Sequence, residues 1–187
     1  MKQKDHKALA YYLIDRAGQG PLWRRTWHRR FFILGCVIPD YIPFTYLRGF
    51  WKSHAMQGHN ACYSRAYIQR RMHSLQQRGV RSRRDCFALG KLMHYLADSF
   101  TFVHTEGFCG GMREHRRYER GLHEIFPQYV SCAMQKGKTR PVDSVQLSEC
   151  LRQSRKEYEC FDGGYERDCK QILGVCTEVF QILCANE

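Results

Sequence analysis

Five side chains between Gly90 and Glu119, in the stretch GKLMHYLADSFTFVHTEGFCGGMREHRRYE, have the types and spacing to hold metal: His94, Asp98, His104, His115 and Glu119. His94 and Asp98 are four residues apart, as are His115 and Glu119. On a helix each pair shares one face and can grip one ion. Imidazole nitrogen and carboxylate oxygen are donors that Zn²⁺ accepts in catalytic sites, where one position stays open for water. Two such pairs with a histidine between them are a far more specific signal than either pair alone.

A multinuclear site needs more donors than one helical hairpin supplies, and candidates lie upstream. Asp40 stands in the apolar segment GCVIPDYIPF, which Pro39 and Pro43 interrupt. His54 follows in GFWKSH, and His6 opens the amphipathic stretch HKALAYYLIDRA. With these residues the chain resembles the zinc-dependent phospholipase C family, whose relatives include the secreted fungal single-strand nucleases. The resemblance runs from His6 to Glu119 and rests on His6, Pro39-Asp40, His54, HYLAD, His104 and HRRYE.

That resemblance implies an all-helical cleft holding two to three zinc ions. One would be bound by Asp40, His54, His94 and Asp98, and a second by His104, His115 and Glu119. A third would share Asp98 and take His6 with the amino nitrogen and carbonyl oxygen of the first residue. In the family that residue is usually a tryptophan, whereas here it is Met1. Lys2 is bulky, so the methionine is expected to be retained, and deformylation would leave its amine free. Asp40 is implied both as ligand and as general base. Tyr41 and Trp51 occupy the positions of the family's headgroup-binding aromatics, where a cation–π contact with a quaternary ammonium would suit them. Asp5 is the only candidate for the family's acidic partner of that headgroup.

The composition sets the frame. A chain of 187 residues with 43% hydrophobic residues can bury one core, and a single all-α domain over residues 1–187 is expected. No apolar run approaches the roughly 20 residues of a membrane span, and no signal-peptide core is visible. Ten cysteines include no CxxC, and Cys169, Cys176 and Cys184 recur at helical spacing. They read as small core residues of a reduced, cytoplasmic protein, with peripheral membrane association as a further expectation. The net charge of +12 is concentrated in arginine clusters at 24–25, 29–30, 70–71, 78–84 and 113–120. Such a surface attracts anionic lipid headgroups, nucleic acid or phosphorylated small molecules.

The elements that must position the donors follow from apolar periodicity and from Gly and Pro punctuation. Helices are expected over 5–16, 23–37, 60–77, 84–100, 113–134, 145–160 and 165–183. The first would turn Ala8, Tyr11, Tyr12 and Ile14 inward. The second would stop near Pro39, leaving Asp40 on an irregular connection over 40–58. Trp23, Trp27, Phe31 and Phe32, interleaved with arginines, suit either the core or a lipid interface.

Several zinc ions close together favour hydrolysis of a phosphoester by metal-activated water. The leading reading is therefore a zinc-dependent phosphodiesterase acting on a phospholipid. A single-strand nuclease or nucleotidase of the same superfamily is the alternative, with Tyr41 or Trp51 stacking a base. A non-catalytic, membrane-associated zinc module is the third. His123, one helical turn past Glu119, is a candidate partner behind the ligands.

Overall fold

A computed structural model describes residues 1–17, 20–41, 61–135, 147–160 and 163–185. Among these residues every regular element is a helix, so the fold is all-α. In chain order they are α1 (Gln3–Ala17), the short α2 (Pro21–Arg24), α3 (Thr26–Tyr41), α4 (Ala61–Arg78) and α5 (Arg83–Ser99). A 3₁₀ turn, η1 (Phe102–His104), precedes α6 (Met112–Gln135), α7 (Leu147–Glu159) and α8 (Tyr165–Cys184).

α5 is the axle. It starts at a capping box in which Ser82 Oγ accepts from the Asp85 N–H while Asp85 Oδ2 accepts from the Ser82 N–H. It buries residues all round its girth, among them Cys86, Leu89, Leu92, Met93, Leu96 and Ala97, the mark of a helix enclosed by its neighbours. The turn ahead of it needs Gly79, whose φ of 71° is left-handed. Its N–H closes α4 by donating to the Leu75 carbonyl. α3 crosses α5 at a point where Gly35 and Gly90 leave no room for a β-carbon. One contiguous core joins all these helices, with an aromatic knot of Trp23, Phe32 and Phe180 whose ring centroids are 5.1–5.3 Å apart.

Three local expectations need correction. The helix expected over 23–37 is two helices, because Arg25 takes extended backbone angles between α2 and α3. α3 then runs through Pro39 to Tyr41, so Asp40 is in its last turn and not on a loop. Pro39 cannot bond the Gly35 carbonyl and its ring crowds that carbonyl, yet α3 continues for two more residues with Pro39 buried. In α1 the inward residues are Leu9, Ala10, Tyr12, Leu13 and Ile14, while Tyr11 is half exposed. His6, Leu9, Ala10 and Leu13 form one stripe at spacings of three and four, which carries the imidazole into the interior with them. The connection expected from residue 42 onward lies outside the described residues.

Candidate metal centre

Asp98 is the hub. It is buried on α5 one turn after His94, whose Nε2 lies 3.2 Å from Asp98 Oδ2. His6 arrives from α1 with Nε2 3.2 Å from Asp98 Oδ1, its ring stacked on His94 at 4.0 Å between centroids. His94 Nδ1 is 2.9 Å from the Cys36 carbonyl of α3. A carbonyl only accepts, so Nδ1 carries the proton and Nε2 presents its lone pair to the carboxylates. Asp40, from the last turn of α3, places Oδ1 3.7 Å from that same Nε2.

The second group lies across the cleft. His104 on η1 and His115 on α6 point Nε2 at Glu119 Oε1, at 3.5 and 3.3 Å. The two imidazoles meet edge to face at 4.8 Å. The Met1 amine joins the groups. It donates to Asp98 Oδ1 at 2.9 Å and Glu119 Oε1 at 3.0 Å, and lies 3.3 Å from His104 Nε2.

These distances set the protonation states of the metal-free site. Burial works against the Met1 ammonium, but the Asp98 and Glu119 carboxylates outweigh it and raise the amine to about 11. Burial lowers His6 to about 3, helped by His94 beside it. Burial likewise lowers His104 to about 4. Burial alone would raise Asp98, yet the ammonium and three histidines hold it well below the usual carboxylate range. Glu119 is lowered in the same way, burial being overcome by hydrogen bonds from His104 and His115. Near neutral pH the cleft thus offers the Asp98 and Glu119 carboxylates and neutral imidazoles at His6 and His104, the forms that bind metal.

The donors fit zinc. His6, His94 and Asp98 bring one ligand atom each to within 4.8 Å of one another, and so do His104, His115 and Glu119. Neither ring nitrogen of the fully buried His6 finds a properly aligned hydrogen bond. An imidazole enclosed in that way is costly unless something else coordinates it. Nitrogen and oxygen donors with no thiolate match the ligand preference of catalytic zinc.

Of the residues expected from the sequence, the fold brings together Met1, His6, Asp40, His94, Asp98, His104, His115 and Glu119. They line or underlie a cavity of about 1040 Å³ that also reaches Tyr41, Phe108 and Arg116. His54 and Trp51 lie outside the described residues. His6 packs against His94 around Asp98, and the Met1 amine reaches Asp98 and Glu119. Asp5 is not available to a headgroup. It is buried, with Oδ1 2.6 Å from His123 Nδ1 and Oδ2 accepting from the Lys2 N–H, so it braces the first turn that presents Met1.

Sequence reasoning overlooked Asp168. It is fully buried at the start of α8 and accepts from Tyr158 Oη at 2.6 Å, Tyr118 Oη at 2.9 Å and the Phe102 N–H at 3.0 Å. The last bond pins the first residue of η1, the turn that carries His104. The available signal was a carboxylate on the same helical stripe as Cys169, Ile172 and Cys176.

An all-helical fold with this cleft of histidine and carboxylate donors has the frame of a metal-binding protein. The model of the zinc-dependent phospholipase C family matches residues 5–174, and the chain belongs to that family. No curated protein matches the chain, and no solved structure does. Among the described residues no helix is long and apolar enough to cross a membrane.

Proposed function

We propose that this protein is a zinc-dependent phosphodiesterase that cleaves a phospholipid-type phosphoester, using two to three zinc ions bound by Met1, His6, Asp40, His54, His94, Asp98, His104, His115 and Glu119. The observation that carries the reading is the convergence of eight of these residues, drawn from α1, α3, α5, η1, α6 and the amino terminus, at one cavity. Zinc held there supplies an activated water at neutral pH and positive charge opposite the phosphoryl oxygens. Asp40 is the general base. Its carboxylate is half-buried on the cavity wall beside His94, placed to take the proton of the attacking water. Asp98, shared between the clusters, holds their spacing. The His94 hydrogen bond to Cys36 keeps that imidazole in its binding tautomer.

A cavity of about 1040 Å³ accommodates a headgroup phosphoester with part of its glycerol, being at the upper end of small-molecule sites. Tyr41, two-thirds exposed at the cavity edge, is the substrate-contacting aromatic, with Trp51 as its proposed companion. The test begins with zinc per chain by elemental mass spectrometry on protein with a native Met1, where two to three ions are expected. Headgroup release from lipid vesicles is then compared with digestion of single-stranded DNA. Asp40→Asn should keep most of the zinc and the fold but lose at least about 10²-fold in turnover, the scale of a general base. Unchanged turnover in that variant removes Asp40 from the mechanism. Digestion of DNA without headgroup release would replace the lipid reading with the nuclease one.

A further inference from the structure

α3 carries a surface that the chemistry of the cleft does not explain. Of the four aromatics interleaved with arginines near its start, Trp23 and Phe32 are buried in the core, Phe31 is half-buried, and Trp27 is 58% exposed. Leu34 follows at 47% and Tyr41 at 67% exposed. These residues are seven apart, so they fall on every second turn and drift only about 20° per step. The result is an apolar stripe about 21 Å long on one face of the helix. Three of the seven large hydrophobic side chains exposed among the described residues therefore belong to this single helix. The stripe ends at the cleft, because Tyr41 lines the cavity, as does the exposed Met112 on the opposite wall.

The charge beside the stripe has one sign. Arg24, Arg25, Arg29 and Arg30 are all exposed. The Arg30 guanidinium lies over the Trp27 ring at 5.1 Å, and Arg83 lies over Phe31 at 5.9 Å. The only acidic residue between Pro21 and Tyr41 is Asp40, which faces the cavity. Arg116 at the cavity and the exposed Arg113 add positive charge on the far side of the mouth, with the exposed Glu114 between them. Tryptophan and tyrosine with arginines alongside are the groups that settle at the headgroup level of a bilayer.

We infer that the exposed face of α3, marked by Trp27, Leu34 and Tyr41 and flanked by Arg24, Arg25, Arg29 and Arg30, docks on an anionic phospholipid bilayer and sets the mouth of the cleft against the headgroups. Docking is a property of the surface and is read without turnover, so it stands or falls apart from the hydrolase reading. A nucleic acid would satisfy the arginines but gives no role to Leu34 in a continuous apolar stripe.

The experiment is sedimentation of the full, zinc-loaded chain with vesicles of phosphatidylcholine alone and with about one lipid in three replaced by phosphatidylglycerol, at about 0.1 M salt. Binding is expected only to the anionic vesicles. Each arginine near the surface is worth roughly fivefold, so Arg29→Glu/Arg30→Glu should weaken binding by at least about 25-fold. Trp27→Ala should weaken it by about tenfold through loss of a partly inserted ring. Arg70→Glu/Lys170→Glu makes the same change in net charge on the exposed parts of α4 and α8 and should change binding less than twofold. Far-ultraviolet circular dichroism confirms that each surface variant is folded. Equal losses in the control pair, indifference to Trp27→Ala, or equal binding to both vesicles would overturn the proposal. So would an Arg29/Arg30-dependent affinity for single-stranded DNA with no vesicle binding.

Discussion

The same substitution, Gly to Ala, should have opposite signs at a buried and an exposed helix position, Gly90 and Gly174, and the difference can be worked from the helix crossing. A β-carbon on Gly90 would lie 2.2 Å from the Phe32 carbonyl oxygen, 2.8 Å from the Cys36 nitrogen and 2.9 Å from the Gly35 Cα. All three are backbone atoms of α3, so no side chain can swing away. Ordinary contact begins at 3.4 Å, and α3 and α5 would have to separate by about 1 Å, enough to forfeit a quarter to a half of the dispersion along the seam. Overpacking of this kind costs about 3 kcal/mol, and the better helix propensity of alanine returns about 1 kcal/mol. The net, about 2 kcal/mol, lowers Tm by about 4–8 °C in a chain of this size. Gly174→Ala, with nothing within 4 Å of its β-carbon, should raise Tm by about 2–4 °C through propensity alone. Separation at Gly90 also stretches the 2.9 Å bond from His94 to the Cys36 carbonyl and carries Asp40 away from His94. Zinc content should therefore drop by about one ion, with the His104–His115–Glu119 group unaffected. Thermal unfolding and elemental analysis of both variants make the test. A Tm within about 1 °C of the parent together with full zinc in Gly90→Ala would refute the reasoning.

Other outcomes follow from the same geometry. The metal-free protein should be most stable near pH 7–8. Below about 6.5 the unfolded chain protonates His6 and His104, which the fold keeps neutral down to about 3 and 4, so stability is lost as pH falls. The raised Met1 amine contributes fully below its unfolded value of 8.0, and that contribution is lost as pH rises toward about 11. Tm in chelator at pH 5, 7.5 and 9.5 checks this, and a flat profile contradicts it. Zinc loading should release protons at pH 7, because a coordinated Met1 amine must give one up; calorimetry in buffers of different ionisation enthalpy reads the number. Asp168→Ala would leave the buried Tyr158 hydroxyl, the part-buried Tyr118 hydroxyl and the Phe102 N–H without their acceptor, at a cost of about 3 kcal/mol. By loosening η1 it should weaken zinc binding by His104 more than binding by His6 and His94, and equal weakening of both groups would show that Asp168 acts on the whole fold.

What the sequence disclosed and what it withheld divide along the reach of the interactions involved. Helix spans were legible because periodicity and caps are local: α5 was expected over 84–100 and runs from Arg83 to Ser99, and α8 was expected over 165–183 and runs from Tyr165 to Cys184. The i, i+4 pairs His94–Asp98 and His115–Glu119 were legible for the same reason. Pro39 misled because a proline reads as a stop, whereas α3 continues through it to Tyr41 with the ring buried. The sorting of Trp23 and Phe32 inward from Trp27 outward depends on Phe180, some 150 residues away, which no local pattern reports. Asp168 showed only as a carboxylate on the apolar stripe of α8, because its value lies in three donors that the fold brings to it. The Met1 amine was named only through the family resemblance, because no local pattern places it at the cleft. Its neighbours Asp98, His104 and Glu119 are about a hundred residues along the chain, and only the brace of Asp5 by His123 and the inward stripe of α1 bring it to them. Removing that brace therefore has a specific expected effect: His123→Ala should leave the His94–Asp98 pair in place but lower the share of chains whose amino terminus reaches the cleft. The readout is accessibility of the Met1 amine to an acylating reagent at pH 8.5, which should rise several-fold over the parent while Tm changes little. Protection equal to the parent's would mean that the carboxylates alone hold the amine and that Asp5 and His123 do something else.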